Sequence, residues 1–179
     1  MTDDLIKLTI GFLLTTVCGG LLAFVFQRRQ AEYQWLRTRR EKELTDAQAV
    51  FDEVSRLLDR RLYRTRQLLW SFDRLLAGRQ QCLDDYRTIV TEWNDNINRI
   101  LAMLTIHFSI ERRNMIDNQI GAQFRAIGHS LEQAIRTDST PDANRIGDQL
   151  DELAGRVYNF NLDLLNDIRN RRRTLNEDS

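Results

Sequence analysis

Two histidines are the side chains in this sequence that would most readily bind a metal or move a proton. They are His107 and His129. A two-metal site in a helical bundle uses Glu-x-x-His pairs, but the residues three positions before these histidines are Leu104 and Ala126. We therefore predict no metal ligand in this chain and interpret both histidines as turn or surface residues.

Nucleophilic chemistry has little more support. The two cysteines are Cys18, inside an uncharged stretch, and Cys82, in the later charged part, and this separation predicts no disulfide. No glycine-rich phosphate loop and no Ser–His–acid or Cys–His grouping is present. We predict no catalytic residue, no cofactor and no enzymatic activity, while a hydrolase with an unrecognised site stays open as an alternative.

An uncharged stretch dominates the N-terminal part of the sequence. Residues 8–26 form 19 consecutive positions without a charge or a proline. At a rise of about 1.5 Å per residue this helix approaches the thickness of the hydrocarbon core of a bilayer, about 30 Å. A cleaved signal peptide fits poorly, because residues 1–7 are acidic and Arg28 and Arg29 follow the stretch in place of a cleavage site. We predict an uncleaved transmembrane helix over residues 8–26.

Flanking cations predict the orientation of this helix, because the positively charged side stays in the cytoplasm. The N-terminal flank carries Lys7 against two aspartates. The C-terminal flank carries six cations, namely Arg28, Arg29, Arg37, Arg39, Arg40 and Lys42. We therefore expect a single-pass protein of the bacterial inner membrane, with its N-terminus outside and its large C-terminal domain in the cytoplasm.

The remaining sequence is typical of an all-α fold. It contains one proline, Pro141, and apolar residues recur at three- and four-residue steps, which indicates amphipathic helices. Helix breakers and caps suggest three links between helices, at Gly78, at Ser109 and at Thr140 followed by Pro141. Because short links make neighbours antiparallel, we predict an antiparallel four-helix bundle with a long first helix.

This organisation predicts five parts of the chain. They are a short extracytoplasmic N-terminus (1–7), the transmembrane helix (8–26), a charged helical stalk (27–44), the bundle (45–175) and a tail (176–179). Net charge is zero, but residues 27–79 carry 13 cations and 8 acids while residues 138–167 carry 2 and 7. This asymmetry favours pairing between the first and last helices, and the balance argues against a nucleic-acid partner.

Individual residues sharpen the prediction for the bundle. Trp93 continues an apolar stripe and should be buried, whereas Trp35 lies in the charged stalk and should be exposed. Arg61 falls within the stripe of the first helix and would need a carboxylate partner if buried. The asparagine-rich stretches at 92–99 and 158–167 are polar flanks of their helices, a buried polar seam that fixes register, or the lining of a small-ligand pocket.

Two further sets of residues are candidates for contacts at the membrane. Small residues four positions apart would let transmembrane helices associate closely, and they are Gly11, Thr15, Gly19 and Ala23. Residues placed to contact the membrane surface are Arg28, Arg29, Trp35, Arg169, Arg171, Arg172 and Arg173. For the last four, three interpretations are open: stabilisation of a helix C-terminus, attraction to anionic lipid and, least favoured, nucleic-acid binding.

These features together predict a membrane-anchored cytoplasmic scaffold that self-assembles into a homo-oligomer or recruits a protein partner at the inner membrane. Membrane lipids are the other expected partner. The competing hypothesis is a small membrane effector that clusters its anchors to permeabilise the membrane when the bundle is triggered. Polar residues in the anchor such as Thr9 and Thr16 favour that alternative only weakly.

Overall fold

The structure is a computed structural model that describes the backbone of residues 2–73 and 76–177 and most of their side chains, those of 2–18, 21, 22, 76, 77 and 176 excepted. Every element in this described part is helical and none is a strand, so the predicted all-α class is confirmed. In chain order the α-helices are α1 (Thr2–Trp70), α2 (Leu76–His107), α3 (Ile110–Asn114), α4 (Gly121–Arg136) and α5 (Ala143–Glu177). A 3₁₀ turn, Ser71–Asp73, follows α1, and a π-helical segment, Met115–Ile120, joins α3 to α4.

The chain forms two compact units, Met1–Lys42 and Glu43–Ser179. In the first unit the described side chains are exposed. Among the residues described, no helix is both long enough and apolar enough to cross a membrane. The predicted span, 8–26, lies mostly on residues whose side chains are outside the description, so the structure gives the transmembrane helix no support and it stays a prediction.

The second unit is a helical bundle with its own apolar core. Polar pairs across the helices show their directions: Arg60 contacts Glu92 at 2.8 Å and Arg64 contacts Asp85 at 2.8 Å, so α1 and α2 run antiparallel. Ser55 with Asn161 and Arg66 with Asp151 show the same for α1 and α5. The apolar stripe predicted for the last helix is buried throughout, at Ile146, Leu150, Leu153, Val157, Phe160, Leu164 and Ile168.

Two helix ends differ from the sequence prediction. The first helix ends at Trp70, and Gly78, which was expected to end it, lies inside α2. The 3₁₀ turn supplies the break instead, since the buried Ser71 hydroxyl donates a hydrogen bond to the Leu68 carbonyl at 2.7 Å. The last helix begins at Ala143 and is capped by the side chain of Asp142, which accepts from the Arg145 amide at 3.0 Å, rather than by Thr140.

Candidate functional site

The stalk residues predicted to contact a membrane surface are exposed. Arg28 lies 3.5 Å from Glu32 one helical turn later, and both side chains are solvated. Trp35 is exposed, as predicted, and the Arg39 guanidinium lies over its ring at 5.6 Å. A solvated cation beside an aromatic ring is a pairing that suits a membrane–water boundary.

Apolar side chains immediately before these cations are exposed as well. Phe24, Val25 and Phe26 have 63%, 49% and 72% of their surfaces accessible. Of the four small residues proposed for self-association, Ala23 is exposed, and a Cβ placed on Gly19 would meet nothing within 4 Å. The side chains of Gly11 and Thr15 lie outside the described residues. The first unit therefore leaves its described apolar surface uncovered.

The four C-terminal arginines lie at one end of the second unit. Arg169, Arg171, Arg172 and Arg173 are exposed in the last turns of α5. The Arg171 guanidinium lies 5.7 Å from the centre of the Phe108 ring, in the turn between α2 and α3. The structure thus places these cations beside that turn, whereas Arg28, Arg29 and Trp35 belong to the other unit.

Arg112 fastens the same turn to α5. Its guanidinium contacts Asp163 at 2.6 Å and Asp167 at 3.2 Å, so two carboxylates share one half-buried cation. Ser109 caps α3 as predicted, since its hydroxyl accepts from the Arg112 amide at 3.3 Å. A hydrogen bond with Ser109 also lowers the pKa of the exposed Glu111 carboxyl. A cavity of about 580 Å³ opens here between Phe108, Arg112, Asn170 and Arg171.

Two isoleucines at this end were missed as functional candidates by the sequence reasoning. Ile106 and Ile110 flank the turn and are 70% and 46% exposed. In the sequence they alternate with Phe108, a pattern too short for a strand and therefore assigned to a turn. Their position at helix ends could have predicted this exposure, because an apolar side chain beside a helix end has no following helical turn to cover it.

The interior of the bundle holds an unusual cation. Arg61 is only 3% exposed, and its guanidinium lies 5.1 Å from the centre of the Trp93 ring and 4.7 Å from that of Phe124. Burial lowers its pKa to about 10. The carboxylate partner expected from the sequence is not found among the described residues. The neighbouring groups that shift the pKa of Arg61 are Tyr86, which raises it, and Arg125, which lowers it, and the Arg61 Nε has no hydrogen-bond partner.

Two aromatic rings occupy the place where an ion pair was expected. The rings offer the electron-rich faces that attract a cation, and they bury apolar area that a carboxylate would not. Tyr86 lies in the same region, where burial raises the pKa of its phenol. The Arg61 backbone carbonyl accepts a hydrogen bond from the buried Thr65 hydroxyl at 2.7 Å. The described surroundings of Arg61 thus supply two aromatic rings, a phenol and a hydroxyl to a buried cation.

The histidines and the described cysteine are not part of the cluster around Arg61. His129 is exposed and His107 half-buried, and Cys82 is buried with a free thiol. Within residues 2–73 and 76–177, no three histidine, cysteine or acidic side chains are grouped as metal ligands. The asparagine-rich stretches act mainly as polar flanks, although the Asn161 side chain accepts a hydrogen bond from Ser55 at 3.0 Å and links α5 to α1.

Comparison with known proteins adds no assignment. No protein-family model matches this chain, and no similar curated protein or solved structure was found.

Proposed function

We propose that this chain is a non-enzymatic interaction protein in which residues 8–26 anchor a helical bundle at the cytoplasmic face of the inner membrane. The observation that supports this most directly is the exposure of Phe24, Val25 and Phe26 just before the exposed Arg28 and Arg29. Large adjacent apolar side chains that a chain leaves uncovered mark a surface for lipid or for another protein.

Contact with lipid explains the uncharged stretch and its exposed apolar side chains better than contact with a soluble partner does. The three exposed residues close a stretch of 19 uncharged positions, which matches a bilayer in length. A soluble partner would need only one apolar face, whereas this stretch is apolar on all sides. The six cations from Arg28 to Lys42 then favour an orientation with the bundle in the cytoplasm.

The bundle itself is the part that would meet partners. Residues 43–179 form a unit with its own core, so the fold does not need the anchor to bury its apolar side chains. We propose that the anchor concentrates this unit at the membrane, where copies assemble or a protein partner is recruited. Close packing of anchors through Gly11, Thr15, Gly19 and Ala23 is the proposed route to a homo-oligomer.

One observation favours the effector hypothesis as a second candidate. A buried guanidinium with no anion among its described neighbours lowers the stability of the closed bundle, and a triggered protein needs a closed state that opens readily. In this candidate a signal would open the bundle and permit the anchors to cluster. The two candidates share the anchor and differ in whether the bundle must open.

Alkaline extraction of membranes tests the anchor. The full-length chain should remain in the membrane pellet after a carbonate wash and be released only by detergent. Leu14→Arg, which places a charge in the centre of the stretch, should shift the chain to the wash, because an arginine there costs about 2.5–3.5 kcal/mol on insertion scales. Leu36→Arg is the matched control, because Leu36 is exposed in the stalk.

Reporter fusions after Ser179 test the orientation. A cytoplasmic reporter should be active and a periplasmic alkaline phosphatase inactive. Release of the wild-type chain by carbonate would refute the anchor, whereas phosphatase activity at the C-terminus would refute only the orientation.

A further inference from the structure

Exposed isoleucines and arginines share one end of the bundle, which we call the basic end and define as residues 106–112 with 168–173. Ile106 is 70% exposed at the close of α2, and Ile110 is 46% exposed at the start of α3. Between them Phe108 is only half-buried, with Arg171 over its ring. Solvent thus meets a small apolar surface bordered by cations.

The chain enters the bundle at this same end. Glu53 pairs with Arg99, and Ser55 pairs with Asn161, on helices that run antiparallel to α1. Because the helices are antiparallel, residues near 43 on α1, near 106 on α2 and near 169 on α5 all lie on the same side of these pairs. The residues that follow the stalk and the basic end consequently lie at one pole of the unit.

We propose that the basic end docks on an anionic bilayer surface, with Ile106 and Ile110 entering the headgroup layer and the arginines of α5 binding lipid phosphates. This inference rests on the proposed function, because the anchor would keep the bundle close to a bilayer. It adds a second contact, made by the folded bundle itself and dependent on lipid charge.

Charge complementarity selects this occupant. Arg169, Arg171, Arg172 and Arg173 are all exposed. The nearby acids Asp163 and Asp167 are paired with Arg112, which leaves Glu111 as the exposed acid of the turn. Basic side chains near an anionic leaflet are attracted to it, and long arginine stems can lie along apolar surface while their heads meet phosphates.

The apolar part of the basic end distinguishes docking from simple charge attraction. A helix-end cluster with isoleucines on its surface and cations around it resembles the division of faces in interfacial helices, whose apolar side chains enter the headgroup boundary. Cations alone would hold the bundle near the surface without inserting a side chain. The proposal therefore predicts that position 106 itself leaves water.

A fluorescent probe at position 106 tests this in the full-length chain. The double variant Cys18→Ser/Ile106→Cys provides one reactive thiol for an environment-sensitive dye, because Cys82 is buried. The single variant Cys18→Ser measures background labelling. The protein is reconstituted into phosphatidylcholine vesicles with or without phosphatidylglycerol. With the anionic lipid, emission should shift to shorter wavelength and be quenched by brominated acyl chains.

Matched variants separate position and charge. The reference probe is Ser139→Cys, exposed in the turn between α4 and α5, and its emission should not respond to lipid charge. Arg171→Glu with Arg172→Glu should abolish the shift at position 106. The control pair, Arg136→Glu with Arg145→Glu, changes the same net charge at exposed positions outside the basic end and should leave the shift unchanged.

Failure of docking and failure of the anchor give different results. If the protein floats with neutral vesicles but the probe at 106 stays aqueous with both lipids, docking is refuted, the anchor stands, and the isoleucines are left for a protein partner. If the protein does not float with neutral vesicles but the probe enters anionic ones, docking stands without the anchor. A shift that survives the Arg171/Arg172 reversal would also overturn the proposed role of the arginines.

Discussion

Replacement of Arg61 by methionine should stabilise the bundle, although Arg61 is among its most buried residues. Burial lowers the pKa of Arg61 well below its ordinary value, to about 10. At about 1.4 kcal/mol per pKa unit, the charged form is disfavoured in the folded state by about 3 kcal/mol at neutral pH. Cation–π attraction to Trp93 and Phe124 offsets part of this, at about 0.5–2 kcal/mol for each ring.

At about 0.5–1 kcal/mol for each ring the balance favours methionine by about 1–2 kcal/mol, whereas about 1.5 kcal/mol for each ring would cancel the gain. Methionine has a similar unbranched stem, adapts to irregular space and makes favourable contacts with aromatic rings. It also leaves no buried nitrogen without a partner, whereas the Arg61 Nε has none in the native chain. Replacement of buried charges by apolar side chains of similar volume often raises stability by about 1–4 kcal/mol, which agrees with this estimate.

The pH dependence of this difference follows from the sign of the shift. Because the pKa of Arg61 is lower in the folded chain than in the unfolded chain, its penalty is fully present below pH 10 and is relieved as pH rises above about 10. Between pH 6 and 8 Arg61 is protonated in both the folded and the unfolded chain, so the gain in stability from Arg61→Met should be constant. Burial raises the pKa of Tyr86, which makes stability fall above pH 10 and opposes the relief.

Urea unfolding of full-length protein in detergent, followed by near-ultraviolet circular dichroism, measures this gain. The matched control is Arg60→Met, since Arg60 is exposed and paired with Glu92, and it should change the free energy of unfolding by less than about 0.5 kcal/mol. Arg61→Lys should destabilise, because an ammonium keeps the charge and loses the planar stacking. A loss above about 1 kcal/mol in Arg61→Met would refute the reasoning and show that the rings more than offset burial.

Other substitutions test packing and assembly. Gly128→Ala should destabilise the bundle by about 1–3 kcal/mol in the same urea assay, because the new Cβ would lie 1.9 Å from the Tyr86 hydroxyl. Adding Tyr86→Phe should recover part of that loss. The matched control is Gly155→Ala, where a Cβ would meet nothing within 4 Å, and it should instead stabilise the bundle by about 0.5–1 kcal/mol. Trp93→Ala should cost about 3–5 kcal/mol, and a loss below about 1 kcal/mol would contradict its burial in the core. Gly19→Ile should weaken crosslinked oligomers of the full-length chain without changing the unfolding of the bundle, and oligomers that resist it would move the interface to the bundle.

The sequence was sufficient for the parts of the fold that depend on periodicity. In α5 every residue of the predicted stripe is buried, and Trp93 is buried while Trp35 is exposed. Such positions are decided by which face of a helix is apolar, and that information is local. Short links then limit neighbouring helices to antiparallel packing, which agrees with the Arg60–Glu92 pair.

Helix ends were less predictable because several residues near each end compete for the same role. Thr140 and Asp142 are both good caps, and the structure uses Asp142. The π segment Met115–Ile120 had no signal in the stripe, since the buried residues Ile116, Ile120 and Phe124 recur at four-residue steps, as they would in an α-helix. Its local requirement is visible at Gly121, where a Cβ would lie 2.8 Å from the Ile116 carbonyl oxygen.

The candidate sites show a similar division. Exposure of the C-terminal arginines follows from their local polarity, but the contact of Arg171 with Phe108 joins residues far apart in sequence. Arg61 is the clearest error: it falls in the stripe and is buried, but the carboxylate that burial was expected to require is replaced by Trp93 and Phe124. Which residue faces a buried charge depends on the rotation of neighbouring helices, and a single-helix pattern does not contain it.

Arg61→Met also separates the scaffold from the effector. Both candidates predict a more stable bundle, because stability depends on the cation and not on the use of the fold. In an effector, however, added stability shifts the balance between closed and open states toward the closed one, and a gain of about 1.4 kcal/mol would lower the open population about tenfold. Expression of the wild type would then depolarise cells, while Arg61→Met would do so much less.

A scaffold works in its closed state, so the same variant should neither depolarise cells nor lose its oligomers. Arg60→Met should match the wild type in both cases. Depolarisation that is equally strong in wild type and Arg61→Met would exclude bundle opening as the trigger, even if the protein does permeabilise the membrane.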